Sequence, residues 1–109
     1  MPYRFTAYAR DDLRDIAAYT RDRWGDTQCD RYLTSLEWRC LQLAQEPRLR
    51  RPYDDDPSYW RALAGKHAIF YRVEADGSLL VVRILHAAMS PDLHLPGGAD
   101  EDSDHDEKA

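Results

Sequence analysis

Three histidines, His67, His86 and His94, are the side chains of the first 95 residues best suited to moving protons near neutral pH. General acid–base chemistry needs such a group to share a cleft with a second titratable partner. Spacing pairs none of them: the chain has no HExxH run, no Cys/His array, no nucleophile elbow and no phosphate-cradling glycine loop. His86, three residues after Arg83 at the end of an apolar run, is the best candidate for a binding or catalytic patch; the plainer reading is a strand-ending residue bonded to a loop. Asp54-Asp55-Asp56 offers carboxylates of the kind that hold hard cations. Adjacent side chains cannot converge on one ion without unusual backbone, so the triplet reads as a solvated loop. Cys29 and Cys40 stand eleven residues apart. On one helix that is about 16 Å of axial rise, beyond the roughly 7 Å a disulfide allows, so they read as small core residues of a reducing compartment. No catalytic residue, metal or cofactor is expected.

Arginine is the other chemically informative type, with thirteen against two lysines. Its planar fork suits carboxylates and protein interfaces as well as phosphates. Arg61, Arg72 and Arg83 each fall on a run with strand character. With His86 they outline one partner-facing sheet surface, the alternative being scattered solubilising charge.

The elements that would carry these groups follow from periodicity. Residues 3–8 alternate ring and small or polar side chains, as a strand does. Asp11 or Asp12 can start a helix, in which Leu13, Ile16, Ala17, Thr20 and Trp24 recur at helical spacing. Gly25 ends it, and Asp26 or Thr27 caps a second. Cys29, Leu33, Leu36, Cys40 and Leu43 then draw one apolar stripe that Pro47 stops. Two helices joined so tightly fold back as a hairpin. Residues 48–57 read as a loop, residues 59–63, 67–73 and 79–86 as strands, and Glu74-Ala75-Asp76-Gly77 as the turn of a β-hairpin. The fold class is α+β: an antiparallel sheet packed against an N-terminal helical hairpin, in the order β-α-α-β-β-β. The last strand is apolar nearly throughout, so it should be covered by the helices on one face and by something else, not necessarily of this chain, on the other.

With 109 residues the chain suits one domain. That excludes tandem units, an eight-stranded α/β barrel and a complete dinucleotide-binding fold. No apolar run approaches the roughly 20 residues of a membrane span, and no basic-then-apolar leader is visible, so a cytoplasmic protein without membrane contact is expected. Fifteen basic and 20 acidic side chains give a net charge of −5. Residues 96–109 hold six acids against Lys108, which accounts for all of it and leaves residues 1–95 at 14 basic and 14 acidic groups. The division expected is a domain over 1–95 and an acidic, disordered tail over 96–109. A neutral domain argues against direct nucleic-acid binding, which rests largely on neutralising phosphates.

Four stretches carry a family resemblance: Ala9-Arg10-Asp11-Asp12-Leu13-Arg14-Asp15-Ile16-Ala17-Ala18-Tyr19, Trp24-Gly25-Asp26-Thr27-Gln28-Cys29-Asp30-Arg31-Tyr32, His67-Ala68-Ile69-Phe70-Tyr71-Arg72-Val73, and Arg83-Ile84-Leu85-His86-Ala87-Ala88-Met89. In that order and spacing they resemble the RelE/ParE superfamily of type II toxins, and ParE within it. Ser90-Pro91-Asp92 departs from the pattern, and the acidic tail has no counterpart in it. The resemblance implies a toxin that poisons DNA gyrase without a hydrolytic centre and forms a hetero-oligomer with a ParD-like, ribbon-helix-helix antitoxin. The residues expected to meet the antitoxin are Arg61, Arg72, Arg83 and His86, and those expected to meet the target are Met89 and His94. Relatives that cleave mRNA on the ribosome hold arginines and a terminal tyrosine near where Ala68, Ala88 and His94 stand here. Two alanines cannot stabilise phosphate charge, although His94 could still serve as an acid. The alternatives are therefore a ribosome-dependent endoribonuclease of the same fold and an inactive antitoxin-binding remnant.

Overall fold

Thr6 decides where the first helix begins. Its hydroxyl accepts the Ala9 N–H at 3.1 Å and donates to the Val82 carbonyl at 2.7 Å, so one buried side chain both caps a helix and ties it to a strand. The computed structural model describes residues 2–88 and Leu95. In it β1 (Tyr3–Phe5) gives way to α1 (Ala7–Trp24), α2 (Asp26–Gln45), a short 3-10 turn at Pro47–Leu49, then β2 (Trp60–Ala64), β3 (His67–Val73) and β4 (Leu79–His86). The helix thus starts before Asp11 and Asp12, because Thr6 supplies the cap and Ala7 to Arg10 continue readily from it. The strand ends at Phe5 instead of continuing to residue 8.

The α+β class and the element order are those expected, with one difference in pairing. The sheet order is β1-β4-β3-β2. β2 with β3 and β3 with β4 run antiparallel, but β1 lies parallel to β4, pairing Tyr3 with Leu79 and Phe5 with Val81. The two helices intervene between β1 and the rest of the sheet, and a crossover of that length permits parallel neighbours.

Cys29, Leu36, Cys40 and Leu43 of the α2 stripe are buried, with Leu33 half-buried beside them. With Ala9 and Ile16 of α1, the helical part of this stripe meets Ile69, Tyr71, Leu79, Val81 and Ile84 in the main core. The opposite sheet face does not wait for another molecule. Tyr59 packs there with Leu80 and Val82, and Tyr53 and Leu95 pack against the same surface and against Ala68, Phe70 and Leu85. The loop before β2 and the residue at 95 thus supply, from this chain, cover expected to come from elsewhere.

One irregularity in β4 matters for the site. Tyr71 pairs with Val81 and Phe70 with Arg83, so Val82 is an extra residue with no partner opposite it. Strict alternation from Val81 would send Arg83 into the helix-facing core and Ile84 away from it. The bulge resets the count: Ile84 joins the main core, Leu85 faces away, and Arg83 is released toward the strand edge.

Candidate functional site

Because β1 is three residues long, it covers only Leu79 to Val81 of β4. Among the described residues the edge of β4 has no neighbouring strand beyond that, and α1 seals its first part. The Thr6 N–H bonds to the Val81 carbonyl at 3.0 Å, the Thr6 hydroxyl to that of Val82, and the Asp12 carboxylate accepts the Ile84 N–H at 2.9 Å. Asp12 also receives both arms of the Arg83 fork, Nε and Nη2, at 2.8 Å each. This pair is nearly closed to water, with side-chain exposures of 15% and 11%. Hydrogen bonding to Asp12 raises the Arg83 pKa further, so the guanidinium is a fixed charge.

Past this clamp a groove of about 830 Å³ opens between the far half of α1, the first turns of α2 and the end of β4. Ile16 and Thr20 form part of its floor; Tyr19 and Trp24 stand on its wall, 61% and 63% exposed. Large rings so exposed on a small domain mark a surface suited to a partner.

At the other wall lies a small polar cluster. The Tyr32 hydroxyl accepts the Lys66 N–H at 3.0 Å and stands 2.6 Å from His67 Nδ1. Its own proton has two acceptors in reach, the Ala64 carbonyl at 3.4 Å and, when that nitrogen is unprotonated, His67 Nδ1. Burial lowers the His67 pKa, and the His86 ring, 5.7 Å away between centroids, lowers it further. Burial likewise raises the Tyr32 pKa, against the backbone bond from Lys66. His86 is exposed, and its Nδ1 accepts the Ala88 N–H at 3.2 Å. Gly65 makes room for this arrangement: its φ is +58°, and a Cβ there would lie 2.7 Å from Tyr32 Cε1. Chemically the cluster offers two imidazole Nε2 atoms to a ligand. Among the described residues no group of His, Cys, Asp or Glu could hold a metal ion.

The four residues assigned to a single partner surface are not brought together. Arg83 is turned inward to Asp12, which corrects the expectation of an outward arginine: its donors are spent inside the chain. His86 lines the groove. Arg61 and Arg72 belong to the sheet face away from the helices. There Arg72 lies over the Tyr59 ring at 4.7 Å and donates to its hydroxyl at 3.0 Å, and Arg61 lies 5.9 Å over Phe70. Met89 and His94 lie outside the described residues. Asp56 accepts from the Ser58 backbone and hydroxyl, and Asp55 from the Tyr53 hydroxyl, as a turn would have it. Cys29 and Cys40 are both free and buried, as their spacing required. Sequence reasoning missed Asp12, Tyr19, Trp24 and Tyr32. Trp24 counted as part of an apolar stripe, although as the last residue of α1 it has nothing above it to cover it.

Comparisons with known proteins agree on one family. The family model for the ParE toxin of type II toxin-antitoxin system, parDE, matches residues 3–91. The chain is 38% identical over 94 residues to Toxin ParE1 of Mycobacterium tuberculosis, a match spanning 85% of this chain and 96% of the relative. It is 34% identical over 95 residues to Toxin ParE1 of Caulobacter vibrioides, spanning 86% and 97%. The solved chromosomal ParDE TA system from P. aeruginosa shares the fold, with a TM-score of 0.67 at 16% identity over 79% of this chain and 95% of that one.

Proposed function

The chain belongs to the ParE toxin family of type II toxin-antitoxin systems, and from that premise we propose that it acts by binding: it inhibits DNA gyrase in the cytoplasm and is silenced by a cognate antitoxin. The observation that carries this reading is the groove beside the unpaired end of β4. An amphipathic antitoxin segment would lay apolar side chains against Tyr19 and Trp24 and present backbone groups to the strand edge. The ribbon-helix-helix partner expected from the resemblance would supply such a segment, giving a hetero-oligomer. His86 would then contact the antitoxin directly, with Arg61 and Arg72 left for a second surface. Met89 and His94 remain the proposed target contacts. Among the described residues no helix is long and apolar enough to cross a membrane, which is compatible with this setting.

Replacing Tyr19 and Trp24 together by Ala should weaken antitoxin binding by about 2–4 kcal/mol, the range of buried aromatic hot spots, measured by calorimetry on the purified pair. Unchanged affinity would remove the groove from the account. For the target, purified toxin should block gyrase supercoiling of plasmid DNA while leaving mRNA intact in programmed ribosome complexes.

One observation favours a second reading. His67 and His86 form an imidazole pair at the groove wall, the arrangement an acid–base nuclease requires. If mRNA is cleaved on ribosomes, supercoiling is unaffected and His86→Ala abolishes the cleavage, the endoribonuclease replaces the gyrase inhibitor.

A further inference from the structure

At the polar corner of the groove, one imidazole is held in a single state and the other can change charge. The Ala88 N–H bonds to His86 Nδ1 at 3.2 Å, so that nitrogen is an acceptor and His86 carries its proton on Nε2. A second proton would break this bond. His67 Nδ1 instead faces a hydroxyl, the Tyr32 OH at 2.6 Å, which can serve either state of the ring. Beside an unprotonated Nδ1, Tyr32 donates. Beside an imidazolium, its oxygen accepts from Nδ1–H and from the Lys66 N–H at 3.0 Å, and its own proton turns to the Ala64 carbonyl at 3.4 Å. A charged His67 is thus satisfied at every atom but Nε2. Both rings line the groove with centroids 5.7 Å apart, and among the described residues neither Nε2 has a partner.

The charges facing this pair leave a positive balance. Asp12 of α1 is taken by the Arg83 fork, and Asp15 and Arg23 of α1 line the groove with opposite signs. Behind His86 a hollow of about 260 Å³ on the other sheet face holds Asp55, bonded to Tyr53, and Arg61, lying over Phe70. Lys66, exposed in the turn before β3, lines the groove and adds a cation that none of these acids offsets. Burial and the His86 ring hold the His67 pKa below its ordinary value. An anion entering here at neutral pH therefore meets an uncharged ring and charges it by drawing a proton from solvent.

We propose that this corner is a carboxylate receptor: an Asp or Glu side chain of the antitoxin segment accepts the Nε2–H bonds of His67 and His86, and docks with uptake of one solvent proton by His67. This assignment rests on the groove being the antitoxin's seat and names what the segment must bring to it. A peptide carboxylate is favoured over a nucleic-acid phosphate because the exposed rings of Tyr19 and Trp24 share the groove. Residues 1–95 also lack the basic excess that phosphate binding requires.

The full chain is tested first with sodium acetate as the probe, following the histidine ring resonances by NMR against pH. At about 0.1 M, where either salt gives a screening length of about 10 Å, acetate should raise the His67 midpoint over chloride by about half a pH unit, roughly a threefold preference for the charged ring. The rise should disappear in H86A, a change at an exposed side chain. A midpoint equal in both salts overturns the proposal. So does a larger rise with dimethyl phosphate, a monoanion like the nucleic-acid backbone, which would assign the pair to RNA. The purified toxin–antitoxin pair then separates the receptor from the groove. Calorimetry near pH 6.5, about the ordinary imidazole value, in buffers of different ionisation enthalpy should show uptake of up to about one proton on binding, with affinity rising as pH falls. H67Q, whose amide can keep the Tyr32 contact, should bind without that uptake. Uptake unaltered in H67Q overturns the receptor and leaves the groove standing. Unchanged affinity of the Tyr19→Ala, Trp24→Ala chain would overturn the groove itself, and the proposal with it.

Discussion

The Asp12 carboxylate accepts from three donors at once, the two of Arg83 and the N–H of Ile84. Asp12→Asn leaves a guanidinium enclosed without its counter-charge, so unfolding free energy should fall by about 3–5 kcal/mol, read from urea denaturation. Arg83→Met should cost less, because it removes the enclosed cation and keeps the packing. If the two losses are equal, the ion pair is not the cause. His67 makes a pH prediction. Its folded pKa is depressed, so below about 6.5 the unfolded chain takes up a proton that the folded one resists, and stability falls as pH drops toward the folded value. Urea midpoints measured between pH 7.5 and 5.5 should fall more for the parent than for His67→Gln; parallel curves would contradict it. Neither arrangement was legible beforehand. Asp12 and Arg83 are 71 residues apart and Tyr32 and His67 are 35 apart, and no local pattern announces which distant group a charge will meet.

Elements were more readable than residues. The α2 stripe, its stop before Pro47 and the hairpin strands His67–Val73 and Leu79–His86 follow from spacing and turn chemistry alone. The start of α1 was misplaced because Thr6 caps with help from β4, a partner its neighbours in sequence do not reveal. The parallel β1 and the bulge were invisible for the same reason. Gly65 and Gly77 separate backbone strain from collision. Both have positive φ, +58° and +88°, but only the Cβ of Gly65→Ala would strike another side chain, Tyr32. Gly77→Ala should cost about 1–2 kcal/mol, the left-handed penalty alone. Gly65→Ala should lower the melting temperature clearly further as Tyr32 is pushed aside. Equal effects of the two changes would mean that Tyr32 yields freely.

For the molecule as a whole, the charge ledger has a measurable consequence. Residues 1–95 sum to zero, so the acidic tail supplies all of the net −5 that keeps copies apart near neutral pH. A chain ending at Leu95 should have its solubility minimum near neutrality, against a more acidic minimum for the full chain, as measured by precipitation across pH. A truncated chain as soluble at pH 7 as the parent would contradict this. The covered back face of the sheet carries a different lesson: an apolar strand implies cover but not whose, and here Tyr53, Tyr59 and Leu95 are the chain's own answer.

The extra residue at Val82 makes β4 sensitive to the parity of its length. Losing one codon there would restore regular alternation, which keeps Ile84 in the core and Leu85 on the back face but turns Arg83 to the back face opposite Phe70 and away from Asp12, although the composition would scarcely change. Related chains aligned to this one should therefore admit gaps in the Glu74–Ser78 turn, and none of a single residue between Leu80 and Ile84.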